Sequence, residues 1–147
     1  MKLLDVNLVL AAHRDDHPHF AAARAWLDVL LADAGRFSVP DLVAGSFLRL
    51  ATNRRIFMTP TTAEDAFGYL RALRAQTGHV TLSPGPRHLD LLERLCRSSD
   101  ATGDLVPDAQ LAALAVEHGA EVVSFDRDFA RFVGLRWSRP GAGAHSP

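Results

Sequence analysis

Residues 107–126 read PDAQLAALAVEHGAEVVSFD, and the interpretation of the whole chain starts from this stretch. Pro107 suits the first turn of a helix, and Gly119 is typical of a helix end. The residues between them are apolar on most sides, which predicts a buried helix. The run from Glu121 to Phe125 predicts a strand, and Asp126 follows it directly. A buried helix that leads into a buried strand is typical of α/β proteins.

The same alternation of short apolar runs and helical periods extends along the rest of the chain. Five runs predict strands: Lys2 to Asp5, Phe37 to Val39, Val80 to Leu82, Glu121 to Phe125 and Leu135 to Trp137. Helical spacing predicts the intervening helices: Phe20 to Ala34, a helix after Pro40, one after the capping box Thr61-x-x-Glu64, one after the turn at residues 83–86, and one from Pro107. We therefore expect one α/β domain over residues 1–138, with a five-stranded parallel sheet and helices on both faces. Residues 139–147 are expected to form a flexible tail.

The composition excludes several classes of protein. The chain has 147 residues, of which 48% are hydrophobic and 22% charged, so it is not intrinsically disordered. Its net charge of −1 excludes a strongly basic binder of polyanions, so any contact with nucleic acid must be local. The single cysteine, Cys96, excludes a disulfide framework and a cysteine-rich metal site. The chain lacks an apolar run long enough to span a bilayer and a secretion signal, so we expect no membrane contact and a cytoplasmic location.

Carboxylates occur where the predicted strands and helices would bring them together. Asp5 ends the first strand, Asp126 follows the fourth, and Asp104 and Asp108 lie at the start of the helix before the fourth strand. In open parallel sheets the ligand crevice lies beyond the carboxyl ends of the strands. A cluster of carboxylates there needs protons or cations to neutralise it, and hard oxygen ligands favour Mg²⁺ or Mn²⁺. We therefore predict a metal site made by Asp5, Asp108, Asp126 and Asp104.

Each of these acids also has a structural interpretation. Asp104 and Asp108 flank Pro107, so either is a candidate helix cap or a favourable charge at a helix start. The sequence Asp126-Arg127-Asp128 is equally consistent with a turn whose second aspartate caps a short helix. Asp5 is harder to explain in this way, because a carboxylate in an apolar setting needs a partner.

Three motifs resemble those of a known family. Residues 4–10, LDVNLVL, resemble the opening of PIN-domain proteins, with an acid followed two residues later by Asn7. Residues 107–115 resemble their third acidic motif, and residues 123–129, VSFDRDF, resemble their last. The order and spacing of these motifs, over residues 2 to about 138, are similar to those of the VapC-type toxins of bacterial toxin–antitoxin pairs.

This resemblance implies a fold and a function. It implies a five-stranded parallel sheet and an Mg²⁺-dependent endoribonuclease, with Mn²⁺ as an acceptable substitute, that leaves a 5′-phosphate and a 3′-hydroxyl. Catalysis and metal binding would fall to Asp5, Asp108 and Asp126, and the RNA substrate would be transfer or ribosomal RNA. A VapB-like antitoxin is the implied partner. A homodimer is also implied, for which residues 20–31 and 47–50 are candidate faces.

One position departs from the family pattern. The family usually has a glutamate in the helix after the second strand, and the matching position here is Ser46. This leaves a second hypothesis open, a catalytically impaired PIN scaffold that binds RNA or antitoxin without cleaving. A small metal-dependent phosphatase is a third hypothesis, which would need a closed pocket instead of an open groove.

Other polar residues are candidates for substrate contact. Asn7 is expected either to orient Asp5 or to belong to a helix start. Several arginines are candidate phosphate ligands, each with a solvated surface charge as the alternative: Arg54, Arg55, Arg87, Arg127 and Arg131. The run His13-x-x-x-His17-x-His19 is expected to form a polar loop near the substrate entrance instead of a zinc site.

Overall fold

A parallel sheet lies at the centre of the molecule in the computed structural model, which describes residues 1–141. Its strands are β1 (Lys2–Leu4), β2 (Phe37–Ser38), β3 (Glu121–Val123) and β4 (Arg136–Ser138). They lie in the order β2-β1-β3-β4, and neighbouring strands run parallel. The predicted α/β architecture with a parallel sheet is confirmed.

Helices connect these strands. They are α1 (Val6–His13), α2 (Phe20–Ala32), α3 (Asp41–Ala51), α4 (Ala63–Arg74), α5 (His88–Ser99) and α6 (Val106–His118). Two short 3₁₀ helices, Gly103–Leu105 and Arg127–Arg131, precede α6 and follow β3. Among residues 1–141 no helix is both long enough and apolar enough to cross a membrane.

The predicted strand from Val80 to Leu82 is wrong, so the described sheet has four strands instead of five. In place of a strand, the residue just before it, His79, makes one isolated bridge with Phe37 of β2. Two hydrogen bonds hold it there, from Phe37 N–H to the Gly78 carbonyl and from Val80 N–H to the Phe37 carbonyl. The ladder goes no further because β2 has only two residues and because the backbone of Val39, which follows it, is bonded to side chains. The Val39 N–H donates to His79 Nε2, and the Val39 carbonyl accepts from Arg74.

The strand order creates a crevice between β1 and β3. After β1 the chain returns to β2 on one side, and after β3 it continues to β4 on the other. Because the connections diverge at this point, the carboxyl ends of β1 and β3 border a space that the backbone does not fill. Helix α6 leads into β3, so its first turn lies at the same edge of the sheet. The sheet topology thus brings together the ends of β1 and β3 and the start of α6.

The core surrounds the sheet and the middle of α6. Five consecutive residues of α6, Leu111–Ala115, are buried, as the apolar pattern predicted. Phe37, Phe47 and Phe129 are fully buried. Phe47 therefore cannot belong to a dimer face, and that part of the predicted interface is wrong.

The predicted tail, residues 139–147, falls mainly outside the described part of the chain. Of its residues only 139–141 are described, and Pro140 among them is buried. Arg139 lies with its guanidinium 5.9 Å from the centre of the Phe125 ring. The first residues of this segment therefore contact the domain.

Two glycines give a matched test of the helix-end geometry. Gly119 ends α6 at φ +63°, where a side chain is strained, and a Cβ there would meet no atom within 4 Å. Gly68 lies inside α4, where a Cβ also has open space. We expect Gly119→Ala to lower the free energy of unfolding by about 1 kcal/mol and Gly68→Ala to raise it by about 0.5–1 kcal/mol. Urea unfolding measures both, and a stabilising Gly119→Ala would contradict the left-handed helix end.

Candidate active site

Asp5 joins β1 to α1 and carries a buried carboxylate. Its side chain is 6% exposed, and it is the N-cap of α1. Oδ1 accepts a hydrogen bond from the Val6 N–H at 2.7 Å, and Oδ2 accepts one from Ser124 Oγ at 2.6 Å. Burial raises the pKa of Asp5, and these hydrogen bonds oppose that effect only in part. The strand ends at Leu4, one residue before the prediction, because Asp5 satisfies an N–H of the first helical turn.

Ser124, which the sequence analysis did not single out, connects the two strand ends. It follows β3 and is fully buried. Its hydroxyl donates to Asp5 Oδ2 and accepts hydrogen bonds from Asn7 Nδ2 at 2.9 Å and from the Asp126 N–H at 2.9 Å. All the hydrogen-bonding capacity of a hydroxyl is therefore used. The sequence did contain a signal for Ser124: it is a small polar residue inside an apolar run, directly before Phe125 and Asp126.

Asn7 completes this network from the first turn of α1. Its Nδ2 donates to Ser124 Oγ, and its Oδ1 accepts a hydrogen bond from the Phe125 N–H at 3.1 Å. The side chain thus holds the segment after β3 in place. Two interpretations of Asn7 were open, orientation of Asp5 and a role at the helix start. These contacts favour the first, because Asn7 acts on Asp5 through Ser124.

Asp108 lies in the first turn of α6 and is half-buried. Burial is the main cause that raises its pKa to about 7, and the negative charges of Asp5, Asp126 and Asp128 add to the effect. Without a cation, this carboxyl therefore keeps its proton to a higher pH than an ordinary aspartate does. The start of α6 has no side-chain cap, so neither Asp104 nor Asp108 has the capping role considered above.

Asp5 and Asp108 face the same narrow cleft, which has a volume of about 40 Å³. Its lining residues are Asp5, Val6, Leu42, Val43, Ser46, Pro107, Asp108 and Leu111. Ser46 comes from the middle of α3, so the position at which the family usually has a glutamate does border these carboxylates. A hydroxyl stands there in this chain, and the cleft has one carboxylate fewer.

Asp126 and its neighbours lie just outside this cleft. Asp126 is half-exposed and is the N-cap of the Arg127–Arg131 helix, where its Oδ1 accepts a hydrogen bond from the Asp128 N–H at 2.8 Å. The proposed cap at Asp128 is therefore wrong, since the preceding aspartate occupies that position. Asp104 is exposed on the Gly103–Leu105 helix, and its charge is not among those acting on Asp108.

The donor set fits a hard divalent cation that keeps part of its water shell. Within residues 1–141 no three His, Cys, Asp or Glu side chains are grouped closely enough to enclose a metal ion. Mg²⁺, however, is commonly bound through only one or two carboxylates, with water and substrate phosphate as its other ligands. Asp5 and Asp108 offer such a pair in one cleft. Burial is the main cause that raises the pKa of both carboxyls, and repulsion from neighbouring carboxylates adds to it. A cation there would relieve this repulsion.

Comparison with known proteins identifies the family. The model of the PIN domain matches residues 2–135. Ribonuclease VapC25 of Mycobacterium tuberculosis is 58% identical over 140 residues, which cover 95% of this chain and 99% of that protein. This chain belongs to the PIN-domain family of VapC ribonucleases. The resemblance inferred from the three motifs is thereby confirmed.

Two solved structures show the same fold at lower identity. The crystal structure of VapBC2 from Rickettsia felis, bound to a DNA fragment from their promoter, contains a chain with a TM-score of 0.67 and 15% identity; the match covers 94% of this chain and 97% of that one. The structure of Mycobacterium tuberculosis VapC20, described as a sarcin–ricin loop cleaving toxin, has a TM-score of 0.65 and 20% identity, and covers 92% of this chain and 99% of that one. The PIN fold is thus common to chains whose sequences have diverged widely.

The candidate arginines of this VapC-family chain lie in different places. Arg127 is exposed directly after Asp126. Arg54 and Arg55 are exposed in the turn beyond the C-terminal end of α3, whereas the cleft is lined by the N-terminal half of that helix. Arg131 donates to the Ser99 carbonyl at 3.0 Å, and Arg87 is the exposed N-cap residue of α5. Of these five arginines, Arg127 is next to a site carboxylate in the sequence.

The three histidines at positions 13, 17 and 19 have separate surroundings. His13 packs against Phe47 and Tyr69 and pairs with Thr61 Oγ1 at 3.0 Å. His17 Nδ1 accepts a hydrogen bond from the His19 N–H at 3.0 Å. Burial lowers the pKa of both His13 and His17. The histidines are thus used in local packing and turn contacts.

The raised pKa of Asp108 gives a pH-dependent stability test. The folded carboxyl holds its proton up to about pH 7, whereas in the unfolded chain its pKa is near 3.8, the ordinary value for an aspartate. Stability is therefore lost as the pH rises through this range. In chelator at pH 8 we expect Asp108→Asn to raise Tm by roughly 2–4 °C, a change of about 1 kcal/mol after allowance for solvent screening. At pH 4 the two proteins should differ much less.

Thermal unfolding at the two pH values measures this difference. Asp90→Asn is the control, because Asp90 is exposed in the first turn of α5. An Asp108→Asn effect that is equal at both pH values would show that the carboxylate cluster does not destabilise the protein.

Proposed function

We propose that this chain is a divalent-metal-dependent endoribonuclease that hydrolyses phosphodiester bonds of cytoplasmic RNA, and that it is the toxic component of a type II toxin–antitoxin pair. One observation carries the catalytic assignment. Asp5 and Asp108 share a cleft at the carboxyl edge of the sheet, where burial, together with the negative charges of Asp5, Asp126 and Asp128, raises the pKa of Asp108. The high identity to a named VapC ribonuclease supports the RNA substrate.

In this proposal Asp5, Asp108 and Asp126 hold Mg²⁺, for which Mn²⁺ is an acceptable substitute. Asp126 Oδ1 is used by the Asp128 N–H, and its other oxygen has no partner in the described residues. Asp104 is left out of the set because it is exposed and does not act on Asp108. When bound, the cation supplies neutralisation of the phosphate charge and a lowered pKa of the attacking water.

The chain's own residues prepare this site. Ser124 and Asn7 fix the carboxylate of Asp5 and the backbone of Asp126, so that the acids need little rearrangement when a phosphate arrives. Arg127, exposed beside Asp126, is proposed to contact the RNA backbone. The distant Arg54 and Arg55 would contact only a longer RNA that extends beyond α3.

The partners of this chain are proposed from its relatives. The Rickettsia felis neighbour is a VapBC2 complex, and a VapB-like antitoxin is accordingly proposed here. VapC20 is described as a toxin that cleaves the sarcin–ricin loop, which supports ribosomal RNA as a substrate here, with transfer RNA as the alternative. A homodimer is proposed through α2, where Val29 is 63% exposed.

The geometry does not favour a small-molecule phosphatase. Pockets that enclose small ligands have volumes of about 300 Å³ or more, whereas the cleft at the carboxylates has about 40 Å³. The absence of a carboxylate at Ser46 is the observation that favours an inactive scaffold. The first of the two experiments that follow separates this alternative from a working nuclease, and the second tests whether Ser46 borders the metal.

Cleavage of total RNA by the antitoxin-free protein tests the proposed function. We expect discrete fragments with Mg²⁺, none in chelator, and a loss of at least about 100-fold for Asp108→Asn, because a metal ligand matters no less than the groups that orient it. The exposed Asp90→Asn is the matched control and should cleave normally. A folded wild-type protein that cleaves no RNA at any Mg²⁺ or Mn²⁺ concentration would support the inactive scaffold.

Replacement of Ser46 tests the effect of the missing carboxylate. Ser46→Asp adds a negative charge to the cleft, so we expect a lower Tm in chelator and roughly tenfold tighter Mn²⁺ binding, since the cation offsets a larger repulsion. Ser46→Ala, the control, should change neither quantity much. Titration with Mn²⁺ and thermal unfolding give both values. If Ser46→Asp bound Mn²⁺ no more tightly than Ser46→Ala, Ser46 would not border the metal.

A further inference from the structure

A second depression, with a volume of about 460 Å³, lies next to the candidate active site along the chain. Its polar and aromatic walls come from His19, Phe125, Arg127 and Arg139, which we call the Phe125 surface. Phe125 and Arg127 flank Asp126 on either side in the sequence. A ligand that reaches from the carboxylates to this surface therefore has only a short distance to cross.

Two aromatic rings of this surface are stacked. The rings of His19 and Phe125 lie with centroids 4.3 Å apart and planes 9° from parallel. Both side chains are half-exposed. The Arg139 guanidinium is 5.9 Å from the centre of the Phe125 ring, whereas Arg14 covers the ring of Phe57 at 4.0 Å. The Phe125 ring is thus less closely covered by its cation than that of Phe57.

The two arginines of the surface have unmatched charges. Neither Arg127 nor Arg139 forms an ion pair with any residue from 1 to 141, as is true of most arginines of the chain. What distinguishes these two is that they line one depression together with two stacked aromatic rings. The net charge of the protein is −1, so these two positive charges form a local feature. Free guanidinium groups beside stacked aromatic rings are the combination by which proteins hold single-stranded nucleic acid.

The same hydrogen bonds that organise the carboxylates also fix this surface. Asn7 Oδ1 accepts from the Phe125 N–H, and Ser124 Oγ accepts from the Asp126 N–H. Ser124 in turn donates to Asp5. Phe125 is therefore held at a fixed place relative to the candidate metal ligands, as a platform that positions substrate would need to be.

We propose that the Phe125 surface binds a nucleotide of single-stranded RNA next to the cleaved bond. Its base would stack on the face of Phe125 that His19 does not cover, while His19 supports the ring from behind, and its phosphates would be held by Arg127 and Arg139. This inference rests on the proposed nuclease function, for which it assigns the residues that hold the nucleotide next to the cleaved bond. Stacking accepts any base, so the surface requires a splayed-out base without reading its identity.

Phe67 provides a matched control elsewhere on the molecule. It is 45% exposed on α4, and Arg71 lies 5.7 Å from the centre of its ring, nearly the distance seen at Phe125. It has no stacked aromatic partner among the described residues and does not line the carboxylate cleft. Phe67→Leu and Phe125→Leu therefore remove the same kind of ring at two places, only one of which is proposed to bind RNA.

The test uses the full-length protein and a 12-nucleotide oligouridine RNA with one central 2-aminopurine, in chelator so that no cleavage occurs. Stacking on an aromatic ring quenches the 2-aminopurine fluorescence. We expect wild-type and Phe67→Leu proteins to bind and quench alike, and Phe125→Leu to lose the quenching and about tenfold in affinity. Arg139→Gln should reduce the salt dependence, with a slope of log K against log salt smaller by about 0.7.

Arg24→Gln, which removes an arginine already paired with Asp28, should leave that slope unchanged. Thermal unfolding of every variant shows that it is folded, and His19→Leu gives a second aromatic variant, for which we also expect weaker quenching. Unaltered quenching by Phe125→Leu, an equal loss in Phe67→Leu, or no binding of the RNA by wild type would overturn the inference.

Cleavage with Mg²⁺ separates this inference from the proposed function. Quenching that depends on Phe125 in a protein that never cleaves RNA would support the surface and contradict the nuclease. Normal cleavage of RNA by wild type, with Phe125→Leu indistinguishable from it in binding and cleavage, would support the nuclease and overturn the surface.

Discussion

The hydrogen bond from Ser124 Oγ to Asp5 Oδ2, 2.6 Å long, is the contact on which the rest of the site depends. It crosses from the end of β3 to the end of β1, the two strands between which the chain order reverses. It also offsets part of the cost of burying a carboxylate. The hydroxyl is itself oriented by Asn7 and by the Asp126 backbone. One buried serine therefore links sheet topology to the position of the acids.

Repulsion among the aspartate carboxylates is the second constraint on this edge of the sheet. The fold collects Asp5, Asp108, Asp126 and Asp128 within electrostatic reach of one another. Among the described residues no lysine or arginine forms an ion pair with any of them. The site thus keeps an excess of negative charge that favours a cation over a closed network of salt bridges. Such an arrangement reduces stability in favour of binding, as is common at functional sites.

Much of the fold and part of the site could be predicted from the sequence. The α6–β3 unit followed from apolar periodicity, and the candidate aspartates Asp5, Asp108 and Asp126 followed from their places at strand ends and a helix start, because both signals depend on neighbours in the chain. The strand predicted at Val80 was wrong because β2, its only neighbour, has two residues and gives it little backbone to pair with. Ser124 and the Phe125 surface were missed because their contacts join residues more than 100 positions apart. A local pattern carries no information about such pairs.

The shortness of the outer strands has a consequence for self-association. The β2 edge is partly covered by residues 78–80, and β4 at the other edge has three residues. Exposed edges that are long and flat recruit further strands and lead to aggregation, whereas edges this short offer too few free backbone groups. Addition of further strands at either edge is therefore unfavourable. A second copy of the chain that packs against the domain would find more contact area on its helices than at the edges of its sheet.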